Sequence, residues 1–146
     1  MISCTDFIPS YSILFQLIEE REGYEGVKEY WRYISDKYVE PSLGEQVKKY
    51  GLYGCWKYWS HSLNEEAADF TMIFDPDKGY FEIDMHKCPS KGRLLSLDHM
   101  QPYEKYCDHC DTLYRLVLER YGYRYDYDMT KIGCAQCRLI VQEQKE

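Results

Sequence analysis

Residues able to act as metal ligands, nucleophiles or proton carriers are concentrated in three short segments of the chain's second half. The segments are His86–Pro89 (HKCP), Tyr106–Asp111 (YCDHCD) and Gly133–Cys137 (GCAQC). A thiolate binds soft metals and attacks electrophilic carbon, and an imidazole exchanges protons near neutral pH. These segments therefore contain the candidate site residues, and their chemistry depends on the elements that position them.

Strand periodicity places the first segment. Residues 80–87 alternate between apolar and polar side chains, which is typical of a half-buried strand. The apolar members Phe81, Ile83 and Met85 would face the core, because successive side chains point to opposite faces. The opposite face would carry Glu82, Asp84, His86 and Cys88. We therefore predict that His86 and Cys88 lie side by side.

Helical periodicity groups the second segment. Residues 102–121 are predicted to form one long helix that ends at Gly122. Steps of three and four residues put Cys107, Cys110 and Asp111 on one face of that helix. Asp111 is therefore expected to act on the thiols rather than as a surface charge.

Two kinds of site are compatible with these thiols. The paired CxxC motifs predict a structural zinc site with the ligands Cys107, Cys110, Cys134 and Cys137, because four thiolates make a closed tetrahedral site. The separation of the two pairs is slightly longer than the roughly 15–20 residues that are usual. Zinc is therefore a possible cofactor in an alternative to a thiol-based reaction.

The other kind of site uses a thiolate as nucleophile. Cys107 would lie in the first turns of its helix, where free backbone N–H groups favour an anion, and His109 or His86 could act as the base. We predict a depressed pKa for Cys107 first and for Cys88 second. Packing in the core is the alternative for any single cysteine, and it is the prediction for Cys4 and Cys55.

The remaining elements predict an α+β fold. Helices are predicted over 8–22, after Gly26 and from Ser42 to Asn64, with Pro41 as a break. The buried face of the second helix would include Trp31 and Tyr38. The third stretch, with Tyr50 among its buried positions, is either one helix or two helices split at Gly51 and Gly54. Two hairpins follow. The first covers residues 68–87, with a turn predicted by the composition of Asp75–Gly79, and the second is formed by strands at 123–129 and 138–144. We therefore predict N-terminal helices packed with an antiparallel sheet of hairpins and one long helix in the C-terminal half.

Composition limits the partners. The chain has 146 residues, enough for a single domain over 1–146, and its net charge of −7 argues against nucleic acid as a partner. No stretch approaches the ~20 apolar residues of a membrane span, and no secretory signal is recognised. We therefore expect a cytoplasmic protein without membrane contacts, whose seven cysteines stay reduced.

Taken in order, the three segments resemble the L-2-amino-thiazoline-4-carboxylic acid hydrolase family. Lys87-Cys88-Pro89, the Cys107–Asp111 segment and Gly133 followed by Cys137 match the family's pattern in order and spacing. The likeness covers a core over 26–143, which leaves 1–25 as an N-terminal helical extension.

The resemblance implies a hydrolase that opens a cyclic C–N bond in a small thiazoline acid and yields an N-carbamoyl-cysteine. It carries catalytic roles over to Cys88, Cys107, Asp111 and Cys137, while His86, His109 and Cys110 are additions to the family's simpler pattern. An acidic small-molecule substrate would find a positive partner in Lys87, Lys91 or Arg93. A noncatalytic metal-binding sensor and a purely structural protein are the alternatives.

Overall fold

The computed structural model describes residues 4–144, with the backbone alone at residue 4, so the packing predicted for Cys4 lies outside the described side chains. The elements, in chain order, are α1 (Cys4–Ile34), a π-helical segment (Ser35–Gly44), α2 (Glu45–Tyr50), α3 (Leu52–Glu65), β1 (Asp69–Asp75), β2 (Tyr80–Lys87), α4 (Pro89–Leu95), α5 (Asp108–Arg120), β3 (Tyr123–Asp128), a 3-10 turn (Ile132–Cys134) and β4 (Cys137–Glu143). The predicted α+β class is confirmed. None of the helices within residues 4–144 is long and apolar enough to cross a membrane.

The sheet is antiparallel throughout, in the order β1-β2-β4-β3. Its two hairpins are joined through β2 and β4, with Met85 opposite Cys137. The pairing continues past the strand ends, where the Cys88 N–H donates to the Ala135 carbonyl at 2.7 Å. This register brings the first and third cysteine segments together, although they are far apart in sequence.

One face of the sheet forms the core against the helices. Phe81, Ile83 and Met85 of β2 are buried on this face, as the alternation predicts. The Trp59 ring of α3 stacks on Phe81 with 5.6 Å between ring centroids. Burial of each such side chain stabilises the fold by roughly 1.5–3 kcal/mol, so this contact fixes α3 against the sheet.

Gly23 separates the two helical stretches of α1, between the helices predicted over 8–22 and after Gly26. The backbone is non-helical at this residue, whose φ of 73° suits a residue without a Cβ. Phe15, before this kink, is fully buried in the same core as Trp31, which follows it. The segment assigned to an N-terminal extension thus contributes to the common core.

The π-helical segment changes which residues face inward. The predicted helical face places Tyr38 in line with the buried Trp31, but Tyr38 is 66% exposed while Val39 and Leu43 are buried. Wider π-helical turns rotate the following side chains relative to an α-helix, which explains the error. Pro41 lies inside this segment and does not end it.

Helices α2 and α3 are divided at Gly51, whose φ is 61°. Gly54 was a second predicted break but lies inside α3, where a Cβ would collide with the backbone of Gln46. This glycine lets the two helices approach closely. Tyr50 was predicted to be buried and is 40% exposed instead.

Candidate active site

A cavity of about 1100 Å³ opens between the helices and the inner face of the sheet. Its walls are mainly apolar and aromatic, with residues such as Ile8, Tyr11, Trp59, Ile83 and Tyr127. Four thiols, those of Cys88, Cys107, Cys110 and Cys137, also line it. A concave, largely apolar pocket with a few convergent polar groups is the usual form of a small-molecule site.

Cys88 reaches the cavity because β2 ends one residue before it. Its backbone is the N-cap of α4, Pro89 follows at the first helical position, and its Sγ accepts the Lys91 N–H at 3.3 Å. The predicted strand ran through Cys88 and put it beside His86. That prediction is wrong, because the turn into α4 directs the thiol to the side of Ile83 and Met85.

His86 lies on the opposite face of the sheet. Its Nε2 is 3.0 Å from the Thr71 hydroxyl and its Nδ1 is 3.2 Å from Asp69 Oδ1. The side chain is 43% exposed and does not line the cavity. His86 is therefore not placed to act as a base for any of the four thiols.

Cys107 marks the start of α5, which begins at Asp108 and not near Pro102 as predicted. The thiol is buried, and this burial raises its pKa to about 11, although the nearby Lys91 ammonium opposes the shift. The predicted depression of the Cys107 pKa is therefore wrong. Loss of water around the sulfur outweighs the favourable field of the helix N-terminus.

Cys110 and His109 form a hydrogen-bonding pair in the cavity. The His109 Nε2 lies 3.4 Å from the Cys110 Sγ, and Nδ1 is in close contact with the Tyr106 carbonyl. A carbonyl accepts, so this contact assigns the ring proton to Nδ1 and leaves the Nε2 lone pair facing the thiol. The imidazole is therefore oriented as a base for Cys110.

The surroundings keep the His109 ring neutral. Its centroid lies 4.7 Å from that of Tyr106 and 5.6 Å from those of both Tyr11 and Phe15. Enclosure by these rings lowers the pKa of His109 to about 4, despite the contact with the Tyr106 carbonyl. At neutral pH the ring can therefore accept a proton from a neighbouring donor.

Tyr127 connects two of the thiols. Desolvation raises the pKa of both Cys137 and Cys110, while hydrogen bonding to the Tyr127 hydroxyl opposes the rise in each case. Desolvation also raises the pKa values of Cys88 and Cys107, the two thiols that were predicted to be acidic. In the free protein the cavity therefore contains protonated thiols.

Asp111 does not act on the thiols. Its Oδ1 accepts from Arg115 at 2.7 and 3.0 Å, and Arg115 also donates to the Tyr125 carbonyl at 2.7 Å. The carboxylate is absent from the cavity wall. The predicted site role is wrong, because the same helical spacing that aligns Asp111 with Cys107 also aligns it with Arg115, one turn later.

The predicted zinc ligands do not converge. Cys134 is exposed in the 3-10 turn and does not line the cavity, whereas Cys107, Cys110 and Cys137 do. Across residues 4–144, no group of three or more His, Cys, Asp or Glu side chains is arranged to bind a metal. The tetrad of paired CxxC motifs therefore does not match a tetrahedral site.

Lys91 and Glu66 also line the cavity, and neither was predicted as a site residue. Lys91 was considered only as one of three basic residues near Cys88. The Cys88-Pro89 pair is the signal that places it, because proline favours the first helical position and Lys91 then falls in the first turn. No comparable signal identifies Glu66, the C-cap of α3.

Comparison of the chain with protein-family models, with curated proteins and with solved structures finds no match. The family resemblance therefore stays a prediction. The contacts around the cavity are the basis for the function proposed below.

Proposed function

We propose that the protein is a cysteine-dependent hydrolase that opens a small cyclic amidine acid of the L-2-amino-thiazoline-4-carboxylate type. The observation that carries the proposal is the 3.4 Å contact between His109 Nε2 and Cys110 Sγ in the wall of the cavity. A thiol with an oriented base at this distance is the arrangement used for nucleophilic catalysis. The choice of substrate class rests on the resemblance of the cysteine segments.

In the first step, His109 takes the Cys110 proton while the sulfur attacks the amidine carbon. The tetrahedral adduct collapses with cleavage of the bond from that carbon to the ring sulfur, which leaves as a thiol after receiving the proton from His109. All substrate atoms then remain attached to Cys110 as an isothiourea. The cleaved bond is thus carbon–sulfur, which replaces the C–N bond expected above.

In the second step, water replaces the enzyme sulfur. His109 takes a proton from water, and the oxygen attacks the same carbon. Collapse of this adduct expels the Cys110 sulfur, which recovers the proton, and the product is an N-carbamoyl-cysteine. One water is consumed, and the enzyme returns to its starting protonation state.

The free cavity disfavours both charges of a thiolate–imidazolium pair. Desolvation raises the pKa of Cys110 and lowers that of His109. Proton transfer therefore requires a partner for the new anion, and an amidinium group of the substrate would supply one as it reaches the sulfur. The thiol would then be activated only with substrate present.

Turnover of L-2-amino-thiazoline-4-carboxylate tests the proposal, with the product N-carbamoyl-cysteine, which carries the new thiol, measured by mass spectrometry. We expect turnover by the native protein and loss of it in Cys110→Ser. Cys134→Ser is the matched control, because Cys134 is exposed and outside the cavity wall. Absence of turnover by folded native protein, or full activity of Cys110→Ser, would contradict the proposal.

A noncatalytic small-molecule binding domain is the second candidate. It is favoured by the mainly apolar wall and by the raised pKa values of the thiols, since protonated thiols are poor nucleophiles. Binding of the same compound without any product, measured by calorimetry, would support this function and exclude the hydrolase.

A further inference from the structure

Two side chains of opposite charge, Lys91 and Glu66, line the thiol cavity. They come from different elements: Lys91 lies in the first turn of α4, and Glu66 is the C-cap residue of α3. Neither is part of the Cys110–His109 pair. Their positions bear on which molecules the cavity would accept.

Lys91 is an unusual residue for a cavity wall because it is only 9% exposed. Its ammonium forms no ion pair with any carboxylate between residues 4 and 144, whereas Lys105 and Lys78 both pair with acids. Its charge opposes the effect of burial on the Cys107 thiol, which places it near that sulfur. An ammonium with no carboxylate partner, on a side chain that lines the cavity, is available to an anionic ligand group.

Glu66 contributes the opposite charge at the rim of the cavity. The neighbouring Glu65 is within 3.5 Å of His61, but the Glu66 carboxylate has no ion-pair partner in the described part of the chain. Partial desolvation and the charge of Glu65 raise the pKa of Glu66. Both findings describe a carboxylate that a cationic ligand group would stabilise.

The charges of Lys91 and Glu66 both affect the pKa of the Cys88 thiol. Desolvation is the main reason why its pKa is raised; Glu66 adds to the rise, and Lys91 opposes it. Both groups line the cavity that also contains this sulfur. The cavity therefore presents a separated pair of charges beside the thiols.

We propose that the cavity selects small zwitterions, in which Lys91 binds the carboxylate and Glu66 binds the cationic amidinium or ammonium group. This inference deepens the proposed function and depends on it for the identity of the reacting carbon. Binding itself does not require the reaction. Amino-acid derivatives with a charged group at each end belong to the selected class, and uncharged or singly charged relatives are excluded from it.

Calorimetric binding to the unreactive Cys110→Ala protein tests this inference separately from catalysis. Three ligands isolate the charges: L-2-amino-thiazoline-4-carboxylate, 2-amino-thiazoline without the carboxylate, and thiazoline-4-carboxylate without the amino group. We expect the first to bind most tightly. Equal affinity for all three would overturn the proposal.

Substitutions that each remove one charge test the two proposed contacts separately. In the same background, Lys91→Met should weaken binding of the zwitterion by about 30-fold or more, because a charge-assisted contact is lost, while binding of the carboxylate-free ligand is unaffected. Replacement of an unpaired buried charge by an apolar side chain of similar length should preserve folding, and Lys91→Arg should recover most of the affinity. Glu66→Gln should weaken the zwitterion by up to about 5-fold, since the carboxylate is more exposed.

Exposed residues outside the cavity serve as matched controls: Lys87→Gln for the cation and Glu104→Gln for the anion. Losses of similar size in the controls, or unchanged binding in Lys91→Met, would contradict the proposed contacts. Selective binding with no turnover by native protein would refute the hydrolase and leave this inference intact. Turnover that is insensitive to Lys91→Met and Glu66→Gln would refute this inference and leave the proposed hydrolase intact.

Discussion

His86 and His109 are both close in sequence to a cysteine, yet they lie on opposite sides of the sheet. His86 is on the outer face of the sheet, where it contacts Thr71 and Asp69 and is 43% exposed. His109 is enclosed by aromatic rings and contacts Cys110. Closeness in sequence does not define a reactive pair; the face on which each element presents its side chain does.

The outer face of the sheet and the cavity also differ in whether their charged side chains have partners within the protein. On the outer face, Glu82 is 4% exposed and accepts from Arg138 at 2.7 Å, so its charge is compensated within the protein. In the cavity, Lys91 is buried without such a partner among the described residues. The outer face thus supports the fold by itself, whereas the cavity has charges that a ligand would compensate.

The largest expected difference between the two histidines is in their effect on catalysis. His109→Gln removes the base that faces Cys110, and we expect turnover of the thiazoline acid to fall by at least about 100-fold. His86→Gln is the matched control and should retain activity within about 2-fold, as its ring does not line the cavity. Steady-state rates at neutral pH measure both. A comparable loss in His86→Gln would refute the division between the two faces.

Stability should also distinguish the two faces of the sheet. Phe81→Ala should lower the free energy of unfolding by about 3–5 kcal/mol, because Phe81 is fully buried against Trp59. Ile73→Ala should cost less than about 1 kcal/mol, since Ile73 is opposite Glu82 on the outer face and is 45% exposed. Urea denaturation measures both values. Equal losses would show that the faces were misassigned.

His109 should make the stability of the protein depend on pH. Its pKa is lowered from 6.5 to about 4, so the unfolded chain binds a proton that the folded protein does not bind. Stability should therefore decline by about 2 kcal/mol as pH falls from 6.5 towards 4. This decline should be smaller in His109→Gln. Unfolding free energies measured across that range would contradict the account if the His109→Gln slope equalled the native one.

The smallest expected effect is a difference in thiol labelling. Iodoacetamide at neutral pH, followed by peptide mass spectrometry, should modify the exposed Cys134 before Cys107 or Cys110, because raised pKa values leave the cavity thiols protonated. Addition of the thiazoline acid should change the labelling of Cys110 and not that of Cys134. Early labelling of Cys107 would restore the sequence-based prediction. Labelling of the cavity thiols only after a chelator is added would indicate a bound metal.

Much of the fold was predictable because it follows from local patterns. Alternation identified the core positions Phe81, Ile83 and Met85, and the turn composition after Asp75 identified the first hairpin. The π-helical segment was not predictable, since its wider turns are not encoded by a simple apolar period, and this misplaced Tyr38. Local patterns therefore predict where a helix or strand forms better than they predict how the chain continues beyond it.

The site was predictable only in part. The three cysteine segments contribute to one cavity, but the sequence could not show that a turn at Cys88 separates this thiol from His86. Nor could it show that Asp111 forms an ion pair with Arg115, or that desolvation outweighs the helix dipole in setting the pKa of Cys107. These outcomes depend on tertiary packing, which decides both the partner and the pKa of each group.

Cys110, with His109 as its base, is the proposed nucleophile. Acid quenching of the native protein during turnover of the thiazoline acid, followed by peptide fragmentation in the mass spectrometer, identifies the cysteine that is modified. We expect an adduct on Cys110 whose mass equals one intact substrate molecule, because no atom has yet left the isothiourea. Fragment ions should show Cys107 and Cys134 unmodified. An adduct on Cys88, Cys107 or Cys137, or product formation with Cys110 never modified, would refute this role of Cys110.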